Sequence, residues 1–179
     1  MMELQFNHND YVVRIKPVES YNSMNAALLA NNYAFWQVIG ETEYHSKYLI
    51  IEYYSLGEKP CAVGLAFNSV GLVPQFTPIL NTDALAIGYN SRIAFVNLAN
   101  HTVEADISLG SPSFFCKCLP KAMAVLAEID IYILSYTGEV IKSYPQKGMI
   151  LDCRFVNAEL LFTVEGRADL MKIDLSDYV

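Results

Sequence analysis

The segment Ala122–Tyr144, AMAVLAEIDIYILSYTGEVIKSY, constrains this chain more than any other stretch. It reads as three short strands, rich in β-branched and aromatic residues, joined by tight turns near Glu128 and at Thr137-Gly138. A comparable pattern begins roughly 38 residues earlier, a spacing typical of repeat units built from small sheets. The earlier unit reads ALAIGY, a turn at Asn90-Ser91, RIAFVNL, a turn near Asn100, TVEADI, then Ser111-Pro112 and SFFCKCL. The later unit reads AMAVLA, IDIYILSY, EVIKSY, then Pro145–Gly148 and MILDCRFV. A shortened third copy follows: AELLFTVE, a turn at Gly166, and ADLMKIDL. Ala86 aligns with Ala124, Ile93 with Ile131, Phe95 with Ile133 and Val96 with Leu134.

A period of about 38–40 residues with four short strands per unit is the pattern of a β-propeller blade. The inner strands carry apolar residues on both sides, with Ile129, Ile131 and Ile133 on one face and Tyr132 and Leu134 on the other. A sheet like that needs cover on both faces. The expected fold is therefore all-β and mainly antiparallel, a partial β-propeller-like stack of four-stranded units. A β-sandwich of two antiparallel sheets is the alternative. No Trp-Asp dipeptide marks the repeats, and the single tryptophan is Trp36.

The chain is expected to form one domain, with a β-rich part over 1–80 and two and a half repeats over 81–179. A strand over Tyr11–Ile15 is stopped by Pro17. At most one short helix is expected, over Met24–Ala30 with Ser23 as its N-cap, followed by a strand Tyr33–Ile39. KYLIIEYYS (47–55) and Cys61–Phe67 read as strands separated by the turn Leu56–Pro60, and Pro74 and Pro78 mark a connector.

Hydrophobic residues make up 53% and charged residues 17%, which argues for a well-buried globular protein. The N-terminal residues lack the pattern of a signal peptide, and Cys61–Leu80 is too interrupted by Asn68, Pro74 and Pro78 to span a bilayer. A cytoplasmic location with reduced Cys61, Cys116, Cys118 and Cys153 is the expectation. The net charge is −7, and no run of Lys or Arg occurs, which disfavours direct nucleic-acid binding.

Catalytic patterns are missing. No Gly-x-Ser-x-Gly elbow, phosphate-binding loop or dinucleotide fingerprint is present. Cys116 and Cys118 share a strand face, but small core residues explain them better than a zinc site. His8, His45 and His101 are scattered, and His45 lies beside Glu41 and Glu43 in GETEYHSKY. No cofactor, metal or catalytic residue is assigned, and no enzymatic activity is expected. The candidates for a partner-binding surface are Glu41, Glu43, Tyr44, Tyr53, Tyr54, Glu104, Asp106, Glu128, Asp130 and Glu139. They combine turn and strand-end carboxylates with tyrosines, whose rings bury on one side and contact a partner on the other. Trp36 and its neighbouring tyrosines offer a second possibility, a stacking platform for a small ligand or carbohydrate.

In size, acidity and lack of catalytic motifs, the chain resembles orphan bacterial immunity proteins of contact-dependent growth inhibition and related toxin systems. The segments Gly64–Phe67 (GLAF) and Leu109–Pro112 (LGSP) are similar to stretches of propeller-like bacterial proteins of this kind. The resemblance implies a cognate toxin as partner, frequently a basic nuclease, bound as a heterodimer by a monomer that occludes its active site or substrate groove. It assigns no residue a role, and it implies no contact with nucleic acid or membrane.

Overall fold

The computed structural model describes residues 3–41, 46–68 and 72–179. Among these residues, sixteen strands and one α-helix make up the regular structure, with a short 3-10 turn at Ser176–Tyr178. The chain folds as two compact units. The first holds Met1–Gly71 with Asn97–Thr102, and the second holds Leu72–Val96 with Val103–Val179.

The first unit is a five-stranded sheet with a helix on one face. Its strands are β1 (Leu4–His8), β2 (Tyr11–Val18), β3 (Trp36–Gly40), β4 (Ser46–Ser55) and β5 (Cys61–Asn68), ordered β1-β2-β4-β5-β3. All pairs are antiparallel except β3 with β5. Pro17 does not end β2 as expected. The strand continues to Val18, because β1 covers only the stretch up to Ile15 and Pro17 pairs with Leu49 on its other side. A proline is tolerated where its missing N–H faces no partner strand.

The helix, α1 (Tyr21–Ala30), begins three residues earlier than the sequence pattern suggests. The cap is Ser20, whose Oγ accepts a hydrogen bond from the Ser23 N–H at 3.1 Å. Ser23, the expected cap, instead supplies that donor. Met24 and Leu28 are one turn apart and fully buried, packing on Ile50 and Ala62. This approach works because β5 carries Gly64 beneath the helix. A Cβ there would lie 3.0 Å from both Leu28 Cδ1 and Met24 Sδ.

The second unit contains the repeats. Its first sheet is β6 (Gln75–Pro78), β7 (Ala84–Tyr89), β8 (Arg92–Asn97) and β9 (Thr102–Ser108). The second is β10 (Ser113–Cys118), β11 (Met123–Ala127), β12 (Asp130–Leu134) and β13 (Val140–Pro145). The third has β14 (Ile150–Val156), β15 (Glu159–Val164) and β16 (Met171–Asp174). Each is an antiparallel meander in chain order. The expected strands are present, but their grouping is corrected by one: SFFCKC and MILDCRFV open the next sheet instead of closing their own. Pro74–Pro78 likewise is not a bare connector, since β6 pairs with β7 from Gln75↔Gly88 to Pro78↔Leu85.

The repeat is visible in the turn hydrogen bonds. Leu109 N donates to Ser91 O and Ser113 N to Asn90 O. One unit later, Gln146 N donates to Ile129 O and Ile150 N to Glu128 O. Glu128 N to Pro112 O recurs as Glu165 N to Met149 O, shifted by 37 residues at each end. The connector between two sheets is thus tied to the hairpin turn of the sheet it leaves and to the matching hairpin turn of the sheet it enters.

The middle sheet is covered on both faces. Ala124, Leu126, Ile131 and Ile133 pack with Leu160, Phe162, Val164 and Ile173 of the third sheet. Met123, Val125 and Leu134 pack with Ala84, Ala86, Ile93 and Phe95 of the first. The face assignment read for Ile131, Ile133 and Leu134 holds, but Ile129 lies in the turn before β12 and is 43% exposed instead of joining that face. Ile133→Ala is expected to destabilise the protein by about 2–5 kcal/mol through the cavity it leaves between sheets. Gly64→Val is expected to cost about 1–3 kcal/mol by overpacking beneath α1. Chemical denaturation of the two variants against the parent protein checks both values.

Candidate interaction surface

Strand alternation sends the turns of the second unit to two ends. One end gathers the hairpin turns after β7, β11 and β15 with the connectors before β10 and β14. The other gathers the turns after β6, β8, β10, β12 and β14.

At the first end, the connector Leu109–Pro112 is held by side chains as well as backbone. Gly110 N donates to the Tyr132 hydroxyl at 2.9 Å, and Ile129 N donates to Ser111 Oγ at 3.2 Å. Gly110 permits this: a Cβ there would stand 2.6 Å from Asp130 Oδ2. Nearby on the first sheet, Asp106 receives the Tyr89 hydroxyl at 2.8 Å and Arg92 Nε at 3.0 Å, while Arg92 Nη2 reaches the Asp106 carbonyl at 3.1 Å. Burial, then the hydrogen bond to Asp106, pushes the Tyr89 hydroxyl pKa far up, so the ring stays a neutral donor. The bond to Asp106 likewise raises the Arg92 pKa. This network pins β9 to β7 and β8.

The candidate residues fall in several places. Asp106, Glu128 and Asp130 share the first end, all half-buried. Glu104 on β9 and Glu139 in the β12–β13 turn lie toward the opposite end, both exposed. Tyr54 is in the first unit, with the Arg14 guanidinium 5.4 Å from its ring centre. Glu41 is exposed just after β3, and Glu43, Tyr44 and His45 lie outside the described residues. Tyr53 cannot meet a partner from where it sits: it is 0% exposed, packed edge-on to Tyr11 and tilted against His101. Its place on β4 alternates with Tyr54, so one tyrosine faces inward and the next is half-exposed. Trp36 opens β3 and is partly exposed.

Two further carboxylates stand at the first end, Glu165 and Asp169, both exposed in the turn between β15 and β16. The repeat carries their signal, since Glu165 stands one period after Glu128 and makes the same backbone contact.

The first unit has its own charged cluster. Lys16 Nζ lies 2.5 Å from Glu52 Oε2, and the Tyr33 hydroxyl donates to Glu52 Oε1. A surface pocket of about 240 Å³ is lined by Pro17, Val18, Lys47, Tyr48, Leu49 and Phe67. Its walls are mainly apolar, with one ammonium and one phenol. No group of three His, Cys, Asp or Glu side chains is placed to hold a metal among the described residues. Cys116 and Cys118 border the core between the first and second sheets. Burial, and then the neighbouring Cys118, pushes the Cys116 thiol up to about 12. A thiol held in that way stays protonated at neutral pH and is a poor nucleophile.

No protein-family model and no curated protein matches the chain. Solved structures do. Apo AztD from Citrobacter koseri is similar with a TM-score of 0.50 and 10% identity, over 99% of this chain and 57% of that one. BamB from Moraxella catarrhalis is similar at 0.46 and 13%, over 69% and 39%. Hsv2 from Kluyveromyces lactis is similar at 0.45 and 12%, over 73% and 42%. The chain spans about half the length of the solved structures it matches. This chain is all-β, mainly antiparallel and propeller-like.

The Cys116 thiol gives a pH prediction. Its folded pKa is raised above the unfolded value of 9.0, so its stabilising effect is complete below pH 9 and is lost as pH rises toward 12. Urea midpoints measured from pH 8 to pH 11 are expected to fall less steeply for Cys116→Ala than for the parent, and the parent thiol is expected to resist Ellman's reagent at pH 8 until denatured.

Proposed function

We propose that this protein is a protein-binding module that neutralises a basic partner, acting as an immunity protein that occludes a cognate toxin's active site or substrate groove. The observation that supports the reading is the separation of chemistry in the second unit. Apolar side chains fill the spaces between sheets, while Glu139, Asp152, Glu165, Asp169 and Asp174 stand exposed. The net charge of −7 has the sign that would steer a cationic nuclease toward it. Carboxylates on this surface would occupy the Lys and Arg that otherwise grip RNA or DNA phosphates. The complex would be a heterodimer in the cytoplasm, and the protein would touch neither the nucleic acid nor a membrane.

Two features fit a partner-binding role better than chemistry at a buried centre. The strongest pKa perturbations fall on tyrosines and thiols kept neutral by burial. The pocket beside Lys47 contains no second titratable group that could trade a proton with the ammonium except the Tyr48 phenol.

Co-expression with the toxin encoded beside this gene is expected to restore bacterial growth that the toxin alone abolishes. The purified pair is expected to associate at least about tenfold more slowly when salt is raised from about 50 to about 500 mM, because screening shortens the reach of the steering field. Growth arrest that persists at equal expression of both chains would refute the reading.

A further inference from the structure

The second sheet gathers three sulfur-bearing side chains on one face. Cys116 and Cys118 lie two residues apart on β10, so their side chains point the same way. Met123, on β11, is the register partner of Cys118. Leu119 N donates to Ala122 O at 2.8 Å, which makes Leu119 and Ala122 the hydrogen-bonded pair beside the turn. Bonded and non-bonded pairs alternate along an antiparallel ladder, so Cys118 and Met123 form a non-bonded pair, whose Cα atoms stand only about 4.5 Å apart with their side chains closest. All three residues belong to the core between the first and second sheets, Met123 fully buried and the two thiols half-buried against it.

Packing alone does not require sulfur in these places. One period later the third sheet sets Phe155 opposite Leu160, and the first sheet sets Pro78 opposite Leu85. Cys116 recurs as Cys153, which has neither a second thiol two residues on nor a thioether opposite it. The trio therefore belongs to the second sheet and not to the repeat.

We propose that Cys116, Cys118 and Met123 form a binding site for a soft monovalent metal ion, Cu(I), held by two thiolates and one thioether. Thiolate and thioether sulfur select Cu(I) over harder ions, and a d10 ion of this charge is content with three ligands. Zn(II) would lack the fourth ligand of its usual tetrahedron. As copper binds, the two thiol protons pass to solvent, two copper–thiolate bonds form, and copper keeps its oxidation state. The proton that Cys118 Sγ now donates to the Pro78 carbonyl at 3.2 Å is one of the two. Burial raises the Cys118 pKa, while the Leu80 backbone and the Lys117 ammonium favour its thiolate. Both thiols keep some contact with solvent, which gives the ion a way in.

The test titrates the reduced full chain, without oxygen, against Cu(I) held by bathocuproine disulfonate, a chelator whose colour falls as copper leaves it. The parent protein is expected to take up copper as a monomer, with only sulfur neighbours in its X-ray absorption spectrum. Cys116→Ala and Cys118→Ala are each expected to weaken binding about a hundredfold or more, and Met123→Leu, which keeps the core volume, about tenfold. Cys153→Ala, one period away, is expected to stay within about twofold of the parent. Should an alanine variant fail to fold by circular dichroism, Met123→Leu and the sulfur shell decide the question. Unchanged affinity in Met123→Leu, loss of copper in Cys153→Ala instead, nitrogen or oxygen neighbours at the metal, equal affinity for Zn(II), or copper held only between two copies of the chain overturns the proposal.

Discussion

A four-stranded sheet with apolar residues on both faces must be covered twice, and the second sheet of this protein is built to that requirement. Its central strands alternate their side chains between two cores: Ala124, Leu126, Ile131 and Ile133 to one side, Met123, Val125 and Leu134 to the other. Burial of this kind is worth roughly 25 cal/mol per Å² of apolar surface, so neither neighbouring sheet can be lost without exposing a continuous apolar layer. The recurrent connector bonds serve the same end. By tying each crossover to a hairpin turn of the sheet just left, they fix the step from one sheet to the next.

Much of this was legible in the sequence, because period-2 and period-38 patterns both report burial directly. β7 spans the residues read as its strand, ALAIGY, and the turn at Asn90-Ser91 contains an asparagine with φ of 47°. The sheet boundaries were not legible. A hairpin turn and a crossover connector look alike in composition, and Ser111-Pro112 punctuates the chain as plainly as Thr137-Gly138 does. Only the hydrogen-bonded pairing separates the two, so SFFCKC was grouped one sheet too early. The helix start was misread for a related reason: YNSMNA follows directly on Ser20, so the segment offers two serines, and the one that caps is decided by where the chain leaves β2.

The surface was less legible than the core, and charge explains why. A carboxylate at a turn reads the same whether it is anchored, as Asp106 is by Arg92 and Tyr89, or exposed, as Glu139 is. Tyrosine is ambiguous in the same way. Tyr53 and Tyr54 are neighbours on one strand, yet the first is sealed among rings and the second lies beneath a guanidinium. Alternation predicts that such neighbours differ, but not which of them faces inward. The structure sorts candidates by face and end where the sequence offers only residue type.

That sorting gives the third sheet its distinct character. Its inner face continues the core through Leu160, Phe162, Val164 and Ile173, so it covers the second sheet as fully as a further repeat would. Its other face changes chemistry. Glu159 pairs across to Asp174 in register and is held by Lys172, while Asp152 and Arg154 on β14 are exposed. A face carrying those charges would desolvate them at high cost against another apolar sheet. The stack is therefore apolar where sheets meet and charged on the other face of the third sheet.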